Sequence, residues 1–182
     1  VLGGWSGEQL VAYGVLQHDL LPEDAPRELL SLPPRAGLCK LAGAAVHPTW
    51  RGGGLQRWLI QQRIALAGDC AVFATAAPCN LPSWHNLLAA GLMVRGLQYR
   101  YGGHARYLIA RVPGDTFEGA HKHARELGPA VLDLQQQLLD QGWRGPRPGA
   151  QPERLCPAPA ARDRQAPGVL DHCRTPRPDA VD

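Results

Sequence analysis

Apolar and polar positions along the chain follow two periods, one suited to strands and one to helices. Residues 1–5 and 10–16 are apolar runs separated by Ser6-Gly7-Glu8, which predicts a β-hairpin. Residues 19–37 hold four prolines and several charges around Leu29-Leu30, which predicts a loop with one helical turn. The small, apolar run 38–46 stops at His47-Pro48, as a buried strand should, because proline cannot continue a central ladder. Leu55, Leu59, Ile60, Ile64 and Leu66-Ala67 then recur at helical spacing, and Gly68 closes the helix. Residues 71–76 predict another strand, 78–82 a loop, and 83–90 a helix ended by Gly91. Residues 92–101 and 106–112 predict a second hairpin around Gly102-Gly103-His104.

The order is therefore β-β-β-α-β-α-β-β over residues 1–112, a mixed α/β domain of the α+β kind. Its sheet is expected to be mostly antiparallel, with helices on both faces. A helical pattern follows over 115–141 through Leu127, Val131, Leu134 and Leu138, interrupted early by Pro129. Segment 113–144 is thus a helical extension, which either packs on the body or pairs two copies as a homodimer. Residues 145–182 have no periodicity and are expected to be a disordered Pro/Arg/Ala-rich tail.

Composition sharpens this division. Of the 17 prolines, eight lie in 145–182, so the proline excess belongs to the tail. The apolar share of 45% suffices for a real core. No apolar run approaches the roughly 18 residues of a membrane span, so no membrane partner is expected. The first residues lack the basic start and apolar core of a secretory signal. The chain also opens without Met inside an apolar segment, which suggests a fragment. Five cysteines, an odd number without CxxC spacing, argue against a disulfide scaffold or zinc ribbon and favour a reducing, cytoplasmic home. Net charge is +3, and 1–113 carries +4 (10 basic, 6 acidic). That is too little to indicate nucleic acid but suits an anionic ligand.

The chemistry-bearing segment is Arg51-Gly52-Gly53-Gly54-Leu55-Gln56, between a strand and an amphipathic helix. Three glycines let the backbone approach a ligand, and the helix start offers free N–H groups and the positive end of its dipole. Arg51 adds a cation. The plainer reading is a flexible turn that caps a helix. The loop is not a Walker motif, since no Lys-Ser/Thr follows. It is not a dinucleotide fingerprint, since Arg57 stands where a third glycine would be.

The stretch AAVHPTWRGGGLQRWLIQQRIALA resembles the acetyl-CoA-binding motif of the GNAT acetyltransferase superfamily. That motif is a strand ending in Val-x-Pro, then Arg/Gln-x-x-Gly-x-Gly/Ala at a helix start. Arg51, Gly54 and Gln56 occupy its defining places, with Gln56 replacing the usual small residue. Asn80-Leu-Pro-Ser83 with Gly91-Leu92 resembles the family's N-x-x-A/S…G-F segment. Tyr101-Gly102-Gly103 with Arg106-Tyr107-Leu108 resembles the terminal hairpin of some members. The resemblance covers about residues 1–112, without the family's opening strand and helices.

The resemblance implies direct transfer of an acetyl group from acetyl-CoA, as co-substrate, to a primary amine on a small molecule or a protein. It implies that the strand from Leu41 to Val46, Ala45 and Val46 among it, bonds the pantetheine arm through its backbone. Gly52, Gly53, Gly54, Leu55 and Gln56 would bind pyrophosphate, and Asn80 and Ser83 would lie against the cofactor. Many members use a tyrosine on the second helix as acid; here that place is Leu87. Nor does the strand before the glycine loop carry the usual glutamate. His85 and His47 are the candidate catalytic acid and base, though a solvated helix residue and a loop histidine are plainer readings. Cys79 has no base partner by spacing. His121 and His123, at i and i+2, do not share a helix face, so no metal site is expected. Trp50, Trp58 and Trp84 read as packing residues. A non-catalytic acyl-CoA-binding or regulatory module is the alternative function, and an interaction domain with a merely structural glycine loop is a third.

Overall fold

The computed structural model describes residues 1–115, 127 and 130–145. The elements are β1 (Leu2–Ser6), β2 (Gln9–Gln17), β3 (Leu38–Val46), α1 (Leu55–Ala67), β4 (Ala71–Ala76), α2 (Leu81–Ala89), β5 (Met93–Arg100), β6 (His104–Arg111) and α3 (Leu132–Asp140). The predicted order of strands and helices over the body is the observed one. Short 3-10 turns occupy Pro22–Asp24 and Pro48–Trp50. The C-terminal helix is shorter than the 115–141 pattern; of that pattern, 116–126, 128 and 129 lie outside the described residues, with His121 and His123 among them. The tail expected after 145 also lies outside.

Six strands form one sheet in the order β1-β2-β3-β4-β6-β5. All neighbours are antiparallel except β3 and β4, whose parallel pairing follows from the α1 crossover between them. β4 lies between β3 and β6 with both of its faces covered, so every residue in it except Thr75 is buried. Strand alternation then sorts the core. Cys39, Leu41, Val72, Ala74, Ala76, Tyr107 and Ile109 face one side, where α1, α2 and α3 supply Ile60, Ala67, Trp84, Leu87, Leu88, Leu132 and Leu139. On the opposite side Leu38, Ala71, Phe73, Leu108 and Ala110 are covered by Leu20, Ala25, Leu30 and Leu32 of the β2–β3 connection. Where helices were expected on both faces, the three helices among the described residues share one, and the long connection covers the other.

The buried face of α1 differs from its apolar pattern. Leu59, Ile60, Arg63 and Ala67 are buried, whereas Leu66 is 62% exposed. Arg63 takes the place between Ile60 and Ala67 on the core side. Gly14 on β2 makes room for it, because a Cβ there would stand 2.8 Å from Arg63 Nε and 2.9 Å from Cζ. Three hydrogen bonds pin that guanidinium, so it cannot swing aside. Gly14→Ala is expected to destabilise the fold by about 1–3 kcal/mol through overpacking. Urea denaturation measures this, and an unchanged midpoint would show that Arg63 can yield.

Candidate functional site

The parallel pairing of β3 with β4 is short. Only Leu38, Cys39 and Lys40 pair, with Ala71, Val72 and Phe73. Beyond them β3 stays with β2, while Ala74, Thr75 and Ala76 stay with β6. The two strands therefore part in the middle of the sheet. A β-bulge promotes the parting: between the pairs Gly14↔Ala44 and Leu16↔Leu41, β2 advances two residues and β3 three. An extra residue bends its strand and increases local twist.

The gap is a cleft of about 290 Å³, walled by Lys40, Leu41, Ala42, Gly43 and Ala44 of β3 and by Ala74 and Thr75 of β4. α1 contributes Gln56, Ile60 and Arg63, α2 contributes Ser83 and Leu87, and the β5–β6 turn contributes Tyr101. Its charged walls are Lys40 and Arg63, and no carboxylate lines it. Burial pushes the Arg63 guanidinium below its usual range.

The glycine loop stands where β3 gives way to α1. Gly54 is the N-cap of α1 with φ +80° and no side-chain cap, and Gly52 has φ +84°. The first helical bond runs from the Trp58 N–H to the Gly54 carbonyl at 3.0 Å. That leaves the N–H groups of Leu55, Gln56 and Arg57 without intrahelical acceptors. A Cβ on Gly52 or Gly54 would meet nothing within 4 Å, so the loop's outer face is open. Arg51 donates from Nε to the Val46 carbonyl at 3.2 Å, tying the loop back to the end of β3. The combination suits an anion.

Gln56, the departure from the small residue of the GNAT pattern, is held to one side. Its Oε1 accepts from Asn86 Nδ2 at 3.0 Å, so the side chain links α1 to α2 along the cleft wall. Asn80 is the N-cap of α2, and its Oδ1 accepts from the Ser83 N–H at 3.3 Å. Asn80 is exposed and does not line the cleft; Ser83, which it positions, does.

Of the ten expected cofactor-binding residues, Gln56 and Ser83 line the cleft, and Arg51, Gly52, Gly53, Gly54 and Leu55 lie at its β3–α1 end. Ala45 and Val46 continue β3 beyond the lining residues. His85 and His47 are both exposed, and neither lines the cleft. The His85 ring instead packs edge-on against Trp84, whose indole N–H donates to the Pro78 carbonyl at 3.2 Å. Trp84 is core, as read from sequence, whereas Trp50 and Trp58 are 41% and 44% exposed. Cys79 is exposed. Cys39 is buried, with His18 Nδ1 at 3.3 Å, and burial together with neighbouring Cys70 pushes its thiol up to about 11.

Leu41, Ala42, Gly43 and Ala44, in the strand expected to follow the cofactor, line the cleft, whereas sequence reasoning missed Arg63, Thr75 and Tyr101. Tyr101 carries a turn signal in the Gly102-Gly103 that follows it, and the structure puts it at φ +54°, rare without glycine. Arg63 has none, since a polar residue on a surface helix ordinarily faces water. A second groove, about 460 Å³, shares Tyr101 and is lined also by Glu23, Asp24, Gln98, Tyr99 and Arg100. Asp24 is paired there with Arg100 at 3.0 Å. Among the described residues no helix is long and apolar enough to cross a membrane. No group of three or more His, Cys, Asp or Glu side chains among them is placed to hold a metal ion.

No protein-family model matches the chain, and no curated protein matches it. Several solved structures are similar to it. One is NAA60 of Arabidopsis thaliana in complex with acetyl-CoA, 18% identical, covering 58% of this chain and 67% of that one, with a TM-score of 0.46. The same plant protein in complex with a bisubstrate analogue is 17% identical, covering 59% and 68%, with a TM-score of 0.45. Ribosomal-protein-S5-alanine acetyltransferase from Vibrio fischeri is 18% identical, covering 60% of this chain and 57% of that one, with a TM-score of 0.45.

Proposed function

We propose that this chain binds acetyl-CoA in the β3–β4 cleft and transfers its acetyl group directly to a primary amine. The observation that carries this is the junction of two features. A strand parting opens a narrow cleft without carboxylates, and at the β3–α1 end stands an uncapped helix N-terminus behind three glycines. A ligand with an anionic head and a long, thin, amide-bearing arm matches both. The head would take the N–H groups at 54–57. The arm would hydrogen-bond the β4-facing edge of β3, where residues beyond Lys40 have no strand neighbour on that side. Gly54 has no Cβ to obstruct the head, and Gln56 is turned toward Asn86.

The acceptor is read as an amine from its surroundings. The groove with Glu23, Tyr99 and Tyr101 meets the cleft at Tyr101, and carboxylate and aromatic faces both attract a cation. Direct transfer needs the amine unprotonated and the sulfur's charge accommodated. Holding the two reactants together supplies a large part of the acceleration.

Acetyl-CoA at about 100-fold above its Kd should stabilise the protein by about 2.7 kcal/mol and raise Tm by several degrees. Thermal denaturation with and without acetyl-CoA measures this, and no shift at millimolar concentration would sink the proposal. A second reading, a non-catalytic acyl-CoA-binding module, is favoured by one observation. Leu87, at the place of the GNAT tyrosine, lines the cleft as an apolar wall. Binding without turnover across a panel of primary amines selects that reading.

A further inference from the structure

Arg63 is 2% exposed, yet its side chain reaches a cleft wall. Nε donates to the Leu59 carbonyl of its own helix at 3.0 Å. Nη1 donates to two carbonyls on the strands, Val15 at 3.1 Å and Ala42 at 3.3 Å. These two residues lie within the β2–β3 irregularity, so the guanidinium spans the bulge that bends β3 away from β4. Nη2 takes part in none of these bonds. Neither ion pair among the described residues involves Arg63, and the hydrogen bonds it makes go to carbonyls. Taking a cation out of water is costly, and its hydrogen bonds to carbonyls offset only part of that cost.

Position along the cleft indicates what that is. α1 runs back along β3: Arg51, at the glycine loop, bonds the Val46 carbonyl, and Arg63, about two turns into the helix, bonds that of Ala42. Nine residues of helix separate Gly54 from Arg63, about 13 Å at 1.5 Å per residue. An arm that starts at the glycine loop and follows β3 inward ends at the bulge.

We infer that Arg63 holds the β3 bulge and presents Nη2 to the thioester sulfur, stabilising the thiolate that departs. This rests on the acyl-CoA reading above. In the step concerned, the amine lone pair forms the C–N bond to the acyl carbon. The C–S bond breaks and its electron pair goes to sulfur, and the proton released from nitrogen passes to water. Arginine does not give up a proton near neutral pH, so it acts through charge and hydrogen bonding, not as an acid. It would answer for the tyrosine that Leu87 replaces. The ionisable groups lining the cleft are Arg63, Lys40 and Tyr101, without Asp, Glu, His or Cys.

The test is an ultraviolet titration of the CoA thiolate, free and bound to the full chain, with desulfo-CoA affinity as a second measurement. Bound to the wild-type protein, the CoA thiol should titrate lower than free CoA by about 1 unit or more. Arg63→Lys should retain most of that shift. Arg63→Met should return the thiol of bound CoA to its free value, and rescue of the shift by the charge-conserving Arg63→Lys is an outcome that a purely structural role would not give. A bound thiol that titrates as free CoA in the wild type overturns the inference without any variant, so a misfolded Arg63→Met leaves it falsifiable. A shift that survives Arg63→Met but vanishes in Lys40→Met also overturns it. Desulfo-CoA binding with no thiol shift sinks this inference alone; absence of binding by CoA and desulfo-CoA alike sinks the acyl-CoA reading with it.

Discussion

Gly54→Glu is expected to weaken acetyl-CoA binding by at least about 100-fold, equivalent to roughly 2.8 kcal/mol. Gly54 is the N-cap of α1, and its neighbours' N–H groups form the proposed phosphate cradle. A carboxylate there would occupy the cradle and oppose an anionic ligand in the positive field of the helix end. The protein itself should tolerate the change. A Cβ at Gly54 meets nothing within 4 Å, so no core contact is lost. The φ of +80° imposes strain of about 1–2 kcal/mol on any L-residue. A negative charge at a helix N-terminus returns about 0.3–1 kcal/mol of that. Gly54→Ala carries the strain without the charge and is expected to lose far less affinity. Isothermal titration of both variants, with circular dichroism as the check on folding, separates the contributions. An unchanged Kd in Gly54→Glu would refute the cradle.

Phe73→Ala is expected to destabilise the fold by about 3–5 kcal/mol, the range for deleting a fully buried aromatic side chain. Phe73 is 0% exposed on the central strand, paired with Lys40 on one side and Ala110 on the other. Its ring is the largest side chain in the cluster of Leu30, Leu38, Ala71, Leu108 and Ala110. That cluster is roofed by the β2–β3 connection, so its packing ties the connection to the sheet. Phe73 also forms the last β3–β4 pair before the strands part, at the root of the cleft. Domains of this size have about 5–15 kcal/mol in hand, so the loss should lower Tm markedly and weaken ligand binding. Guanidinium denaturation checks the magnitude. A loss under 1 kcal/mol would show that this face of the sheet is not packed around Phe73.

Much of the body was legible in the sequence because the signals were local. Pro48 had to end β3, Gly68 closed α1, and alternation within 71–76 was absent because both faces of β4 are covered. Three glycines announced a helix start that no side chain caps. The second helix was legible too, although Asn80 caps it and it starts at Leu81, two residues before the expected Ser83. The candidate histidines show where such reasoning ends. His85 and His47 were chosen for proximity in sequence to the motifs, and helix and turn geometry expose both. Leu66 fitted the helical period but faces water, and Arg63 broke the period but is buried. A hydropathy pattern weighs side chains by type and does not see that a guanidinium can be satisfied by carbonyls of two strands.

By itself, then, the sequence determined the identity and order of the elements and set three glycines at a helix start, because turns, caps and periodicity depend on neighbours a few residues apart. Only the tertiary structure decided that β3 and β4 separate after Lys40 and Phe73, that the bulge at Ala42-Gly43 bends β3, and that Arg63, Thr75, Leu87 and Tyr101 meet around the opening. Register and strand divergence are properties of pairs of segments distant in sequence. They are set by which side chains can be buried together, and no single segment carries that information.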